Sequence, residues 1–231
     1  MIFSKESAMQ QIEHLLHVYD GLSIEKILDT KIVLMGHILV NRMALGYQLY
    51  KKYWAKIIIP LNSDALPYVI DIGNQIDKGY QHRYMNGQLC LETDASIRIY
   101  FSTGFNLEIW MRDFVETYYF SYEYYQRYGV FPFGERAHGI EGILQTYGEC
   151  FNELDYAKVF RLMEFIRFGQ YRGHLPCPCG SGKKTRSCHG EFIKKFFEDD
   201  NLKVIVQNDY RTIREVLDVY YEQSRNSNAT K

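Results

Sequence analysis

Apolar residues recur along the chain first at helical spacing, then at strand spacing, then at helical spacing again. Residues 6–19 place Met9, Ile12, Leu15 and Leu16 on one face of a helix, with Ser4 and Ser7 as candidate caps. Segments 32–40, about 46–54, 56–61 and 68–73 are rich in Ile, Val, Leu and Tyr and are broken by Asn41, Lys51–Lys52 and "NSDALP". They predict three or four strands in an antiparallel meander. From Leu107 a stretch without Pro or Gly predicts about six helical turns ending at Gly129. Further helices are predicted over Glu141–Cys150, Leu154–Phe168 and Asp209–Gln223. The last of these carries Ile213, Val216, Leu217 and Tyr220 on a face expected to pack back onto the body, and residues 225–231 are expected to be disordered. The order of elements predicts an α+β fold.

The long helix holds Tyr118, Tyr122 and Tyr125 at i, i+4 and i+7, beside Tyr119 and Phe120. A base-stacking platform would need accompanying basic residues. No basic patch accompanies these, so a packed helix face is the better reading and no nucleic-acid partner is expected.

Composition narrows the classes. The chain has 231 residues, of which 46% are hydrophobic and 24% charged, which suits one domain-sized core plus an appendage. Its formal net charge of −1 gives no overall attraction to polyanions. No long apolar run follows "MIFSKESAMQQIEHLL" or occurs elsewhere, so neither a signal peptide nor a membrane span is expected. Thiols without an export signal predict a cytoplasmic protein.

Three of the five cysteines and a histidine crowd into "CPCGSGKKTRSCHG". Cys177 and Cys179 form one close pair, and Cys188 with His189 a second, separated by eight residues. Three thiolates and an imidazole suit tetrahedral Zn²⁺ and leave no open position for a substrate, so the zinc is expected to be structural. Pro178 stiffens the first pair, Gly180 and Gly182 let the backbone turn, and Lys183, Lys184 and Arg186 offset the thiolate charge. This stretch resembles the SEC-C motif, the small zinc module at the C-terminus of the preprotein translocase motor. All four ligand positions match, as does the PCGSGKK loop. The motif is appended to many unrelated proteins, so it implies a docking module rather than an activity.

Cys90 lies in "HRYMNGQLCLETD", directly after the tight-turn signal Asn86-Gly87. A cysteine between Leu89 and Leu91 reads either as a small buried hydrophobe or as a nucleophile. The helix, the meander with "PLNSDALPYVID", a histidine and then G-x-L-C-L resemble the ubiquitin-conjugating enzyme family, whose cysteine carries a ubiquitin-like protein as a thioester. Gly87, Leu89, Cys90 and Leu91 match its cysteine signature, His82 stands near the family's histidine, and Pro60 and Pro67 fall in its proline-rich strand region. The resemblance is nearest to the bacterial members found beside nucleotide-cyclising enzymes in anti-phage (CBASS) operons. It implies a ubiquitin-conjugating-enzyme-like domain with a helical extension over residues 1–170, followed by a SEC-C zinc module and C-terminal helix over 171–231. The family's His-Pro-Asn triplet is absent, since "HRY" stands there. Asn86 is the nearest substitute for its asparagine, although its place beside Gly87 reads first as turn chemistry.

The implied site has Cys90 as acyl carrier, with His82 or His138 lowering the thiol pKa or moving a proton; each histidine reads equally as structural. Glu92 and Asp94 are candidates to orient an incoming amine, or simply part of a solvated loop. The loop "GERAHG", with Glu135, Arg136 and His138, reads as a supporting loop near Cys90 or as a plain interhelical connection whose histidine caps the next helix. Three function classes follow: a thioester-forming transferase with an exposed Cys90, acting on a protein substrate with a ubiquitin-like or cyclase partner, a non-catalytic adaptor with a buried Cys90, and a zinc hydrolase, which the closed ligand set disfavours.

Overall fold

The computed structural model describes residues 2–229. The chain forms two compact units, one of residues 1–92 with 104–135 and the other of residues 93–103 with 136–231.

The first unit is α+β. Helix α1 (Lys5–Val18) starts where the Ser4 hydroxyl accepts from the Ser7 amide, and it buries Ala8, Ile12 and Leu15. Strands β1 (Leu22–Ile27), β2 (Lys31–Ala44), β3 (Tyr47–Pro60) and β4 (Tyr68–Asp71) make an antiparallel meander in sequential order. The β2–β3 hairpin is longer than the expected strands. Asn41, Lys51 and Lys52 do not break it, because they pair as Asn41↔Tyr50, Val40↔Lys51 and Leu39↔Lys52. One face of this hairpin alternates to the outside, where polar residues satisfy strand geometry as well as apolar ones. Its turn uses Leu45 and Gly46, both at positive φ, as a tight reversal between right-twisted strands requires. Strand β1, which sequence periodicity did not mark, pairs with β2 through residues such as Ile24↔Leu34 and carries a bulge between Ile24 and Lys26.

The long helix appears as α3 (Leu107–Trp110), a π-helical turn (Met111–Val115) and α4 (Glu116–Tyr128), ending on left-handed Gly129. The π turn is where Arg42 of β2 donates to the Arg112 carbonyl at 3.1 Å and to Thr117 Oγ1 at 2.6 Å. A side chain reaching into the helix ladder in this way is a recognised cause of such wide turns. Tyr53 of β3 stacks on Tyr119 of α4 with ring centroids 3.9 Å apart, so α4 and the sheet share one core.

The second unit is helical: α2 (Asp94–Tyr100), α5 (Gly139–Phe151), α6 (Tyr156–Phe168), α7 (Gly190–Glu198) and α8 (Asp200–Ala229). Tyr147, Phe151, Leu162, Met163, Phe196 and Val206 are fully buried in its core, together with Cys177 and Cys179. The division therefore falls earlier than the expected 1–170 and 171–231, because the apolar faces of α5 and α6 pack against α7 and α8. Helix α8 begins at Asp200 rather than near Asp209. Only Ile213 of its expected apolar face is buried; Val216 and Tyr220 are exposed. The expected disordered tail lies partly outside the described residues, and up to Ala229 its backbone is helical. Among the described residues, no helix is long and apolar enough to cross a membrane.

Candidate functional site

Two clusters of reactive side chains stand apart in the chain, one in each unit.

The first is built on the segment after β4. Asp71, almost fully buried, accepts from the amides of Gln75 and Ile76 and lies 3.7 Å from the buried Arg83 guanidinium. It ties down both ends of the loop between β4 and the cysteine. The chain then turns tightly: the Gly87 amide donates to the Tyr84 carbonyl, and Asn86 Oδ1 accepts from the Gln88 amide. Asn86 is thus occupied by turn chemistry. Gly87 sits at φ 85°, and a Cβ there would lie 3.2 Å from the Asp71 carbonyl oxygen, so glycine meets both demands. Leu89 is buried and its amide donates to Val69 of β4, which places Cys90 at the end of a strand-like segment.

Cys90 is half-buried. Its amide donates to the His82 carbonyl at 2.8 Å, and the Tyr118 hydroxyl donates to the same oxygen at 3.0 Å. A ring nitrogen of His82 lies within 4.8 Å of Cys90 Sγ. The imidazole is held edge-on between Tyr80 and Phe131, each with its ring centroid 5.4 Å away. Its Nε2 faces Glu135 Oε1 at 3.9 Å, and the same carboxylate oxygen accepts from Gln81 Nε2. Tyr80 in turn packs against Tyr118, Tyr122 and Tyr125. The tyrosine stripe of α4 is therefore the packed floor beneath the His82–Cys90 segment. Burial pushes Tyr80 and Tyr118 well above the ordinary phenol range, so both stay protonated near neutrality.

The other candidate residues lie on the elements that follow. His138 occupies the N-cap position of α5, in the helical unit, and its side chain does not cap the helix. Arg136 makes a two-pronged ion pair with Glu149 of α5, at 3.0 and 2.9 Å. The GERAHG loop thus divides between the units after Glu135. Glu92 is half-buried at the end of the first unit, while Asp94 opens α2 behind its cap Thr93 and lies 3.9 Å from Arg98.

The second cluster is the cysteine-histidine hook between α6 and α7. Cys177, Cys179, Cys188 and His189 bring their ligand atoms within 4.8 Å of one another, in a largely buried group that could hold a metal ion. His189 Nδ1 is 3.4 Å from Cys177 Sγ and 3.3 Å from Cys188 Sγ, and Cys179 Sγ is 3.7 Å from Cys188 Sγ. The Cys177 amide donates to the Lys183 carbonyl, which closes the loop, and Arg161 of α6 donates to the Cys179 carbonyl.

Glu153 completes this site. Asn152 ends α5 in the left-handed conformation, the Glu153 amide returns to the Gly148 carbonyl, and Glu153 Oε1 accepts from the Asp155 amide. Its other oxygen lies 3.5 Å from His189 Nε2 and 3.5 Å from Lys158 Nζ. Burial holds His189 below the ordinary imidazole range despite Glu153, which favours the neutral ring a metal needs. Burial also pushes the Cys177 thiol up to about 11. Sequence reasoning missed Glu153, since a carboxylate in an interhelical turn carries no spacing signal.

No family model, curated protein or solved structure matches the chain. The two clusters are therefore read from their own geometry.

Proposed function

We propose that the chain is a cysteine-dependent protein-conjugating transferase on a ubiquitin-conjugating-enzyme-like α+β unit, with a structural zinc module in its helical unit. The observation that carries the reading is a histidine ring nitrogen within 4.8 Å of the Cys90 sulfur; the cysteine itself is half-buried, between the exposure expected of an enzyme and the burial expected of an adaptor. A non-catalytic adaptor would not need the imidazole. The element order supports the same reading: one helix, a sequential meander, a segment ending in Gly87-x-Leu89-Cys90-Leu91, then helices.

The chemistry needs little more. The Cys90 thiolate attacks the activated C-terminal carbonyl of a partner protein, an S–C bond forms and the activating group leaves. An amine then attacks the thioester carbonyl, the N–C bond forms, the S–C bond breaks and the thiolate is regenerated. His82 is a nearby group able to take the proton in either step.

The four-ligand cluster fits Zn²⁺. With Zn–S near 2.3 Å and Zn–N near 2.0 Å, a tetrahedron has S–S edges of about 3.8 Å and S–N edges of about 3.5 Å. The distances of 3.7, 3.4 and 3.3 Å are close to these. Zinc here would fix the hook between α6 and α7. The resemblance to the SEC-C motif points to docking of a protein partner, and the anti-phage setting belongs to the same proposal.

The test is co-expression with the products of neighbouring genes, looking for a higher-mass species that disappears with thiol reductant or hydroxylamine. It should form with the natural chain and be absent with Cys90→Ser. Conjugates formed at the normal level by Cys90→Ser would overturn the enzyme reading and leave the adaptor.

A further inference from the structure

We infer that Glu135 is a positioning residue that holds His82 beside Cys90, so that thiol and imidazole form a thiolate–imidazolium pair. The inference deepens the transferase reading and rests on it for its biological use. Its physical content, the ionisation of Cys90, can be measured without any partner.

The fold gives His82 few alternatives. Its carbonyl is pinned by two donors, Cys90 N–H and the Tyr118 hydroxyl. Its ring is held between the edges of Tyr80 and Phe131, and Phe131 is itself stacked on Tyr125 at 4.5 Å. With backbone and ring plane fixed, Nε2 points to Glu135 at 3.9 Å. Gln81 Nε2 donates to the same Glu135 oxygen, so the carboxylate is oriented as well as close. The imidazole side chain is 14% exposed and that of Glu135 46%, so solvent screens the carboxylate from its outer side while the ring stays largely enclosed.

Proton transfer is a simple exchange: the S–H bond of Cys90 breaks, an N–H bond forms on His82, and a thiolate faces an imidazolium. A carboxylate beside the ring stabilises the cation and raises the proton affinity of the ring. Tyr80 and Tyr118, packed against this segment, stay neutral as their burial dictates, and Glu135 is a carboxylate facing the ring. Arg83, next in sequence, is turned to Asp71. Glu135 is an acidic group oriented on His82, and a histidine beside a cysteine lowers the thiol pKa.

The probe is iodoacetamide on the zinc-loaded full chain, with modification of Cys90 followed by peptide mass mapping from pH 5.5 to 9.5. The natural protein should alkylate at Cys90 well below the ordinary thiol range. Glu135→Gln should slow that reaction by about tenfold near pH 6.5 and converge with the natural protein above about pH 9, where any thiol is ionised. Glu135→Asp, which keeps the charge, should recover part of the low-pH rate. In a His82→Gln background the Glu135→Gln change should do nothing further. Superimposable profiles for natural and Glu135→Gln protein would overturn the inference, as would an effect that persists without His82. If no thioester forms with any partner but the profiles behave as stated, the inference stands and the transferase reading falls. If thioester forms while the profiles coincide, the reverse holds.

Discussion

The Tyr118 hydroxyl donates at 3.0 Å to the carbonyl oxygen of His82, which also receives the Cys90 amide at 2.8 Å. Helix α4 is tied through this one oxygen to the segment that presents the cysteine. Tyr118→Phe removes one donor from a part-buried acceptor and keeps the ring packed on Tyr80. We expect a loss of about 1 kcal/mol in thermal or denaturant unfolding. Faster amide exchange should appear across residues 82–90, and unchanged exchange there would show that the bond does not hold the segment.

Freshly purified protein should contain close to one equivalent of zinc per chain by elemental analysis, since closed Cys₃His sites bind tightly. Acid should release it, because the thiolates and a neutral His189 are needed. His189 lies below its ordinary pKa, so its contribution is present above the ordinary imidazole range and is lost as pH falls through the lowered value. Zinc content that does not change between pH 8 and pH 4 would count against these ligands.

Cys179→Ser should disrupt more than the hook. Cys177 and Cys179 share one core with Phe151, Leu162, Phe196 and Val206, so loss of the ion should loosen α5 to α8 together. The first unit has its own sheet and aromatic core and should stay folded. Hydrogen exchange resolved by segment would separate the two. Equal loss of protection in β2–β3 would refute independent units.

Glu153→Gln removes the charge beside His189 Nε2 and leaves the turn intact. Carboxylates in this position orient metal-binding histidines, and their loss commonly weakens metal binding by 10- to 100-fold. Competition with a chromophoric chelator measures the change. An affinity within about twofold of the natural protein would show that Glu153 does not support the ligand.

Asp209 offers a pH test of the helical unit. It accepts from the Tyr147 hydroxyl at 2.6 Å, and burial raises it from 3.8 to about 6, against the lowering effects of Tyr147 and Arg98. The folded state therefore binds the extra proton, so this stabilisation is complete below about pH 4 and is lost as pH rises through about 6. The shift corresponds to about 2–3 kcal/mol. Asp209→Asn should flatten this part of the stability profile. A natural protein with no fall in stability of this unit between pH 4 and pH 7, after separating the metal contribution, would contradict the assignment.

The hook was legible in the residues alone, because a four-ligand set within thirteen residues needs only a local turn to assemble. The same holds for α1, whose apolar spacing and Ser4 cap are local signals, and for the Asn86-Gly87 turn before Cys90. What lies between distant segments was not legible. The partly polar run around Lys51–Lys52 becomes strand only because β2 supplies its hydrogen bonds. The π turn needs Arg42 from another element, and Glu153 meets His189 only after α5 and α6 fold back on each other. Glu135 reaches His82, 53 residues away, through the chain's return along α4. Local order is encoded by spacing and caps, whereas the two reactive clusters acquire their acidic partners from long-range packing, for which a single sequence has no periodic signal.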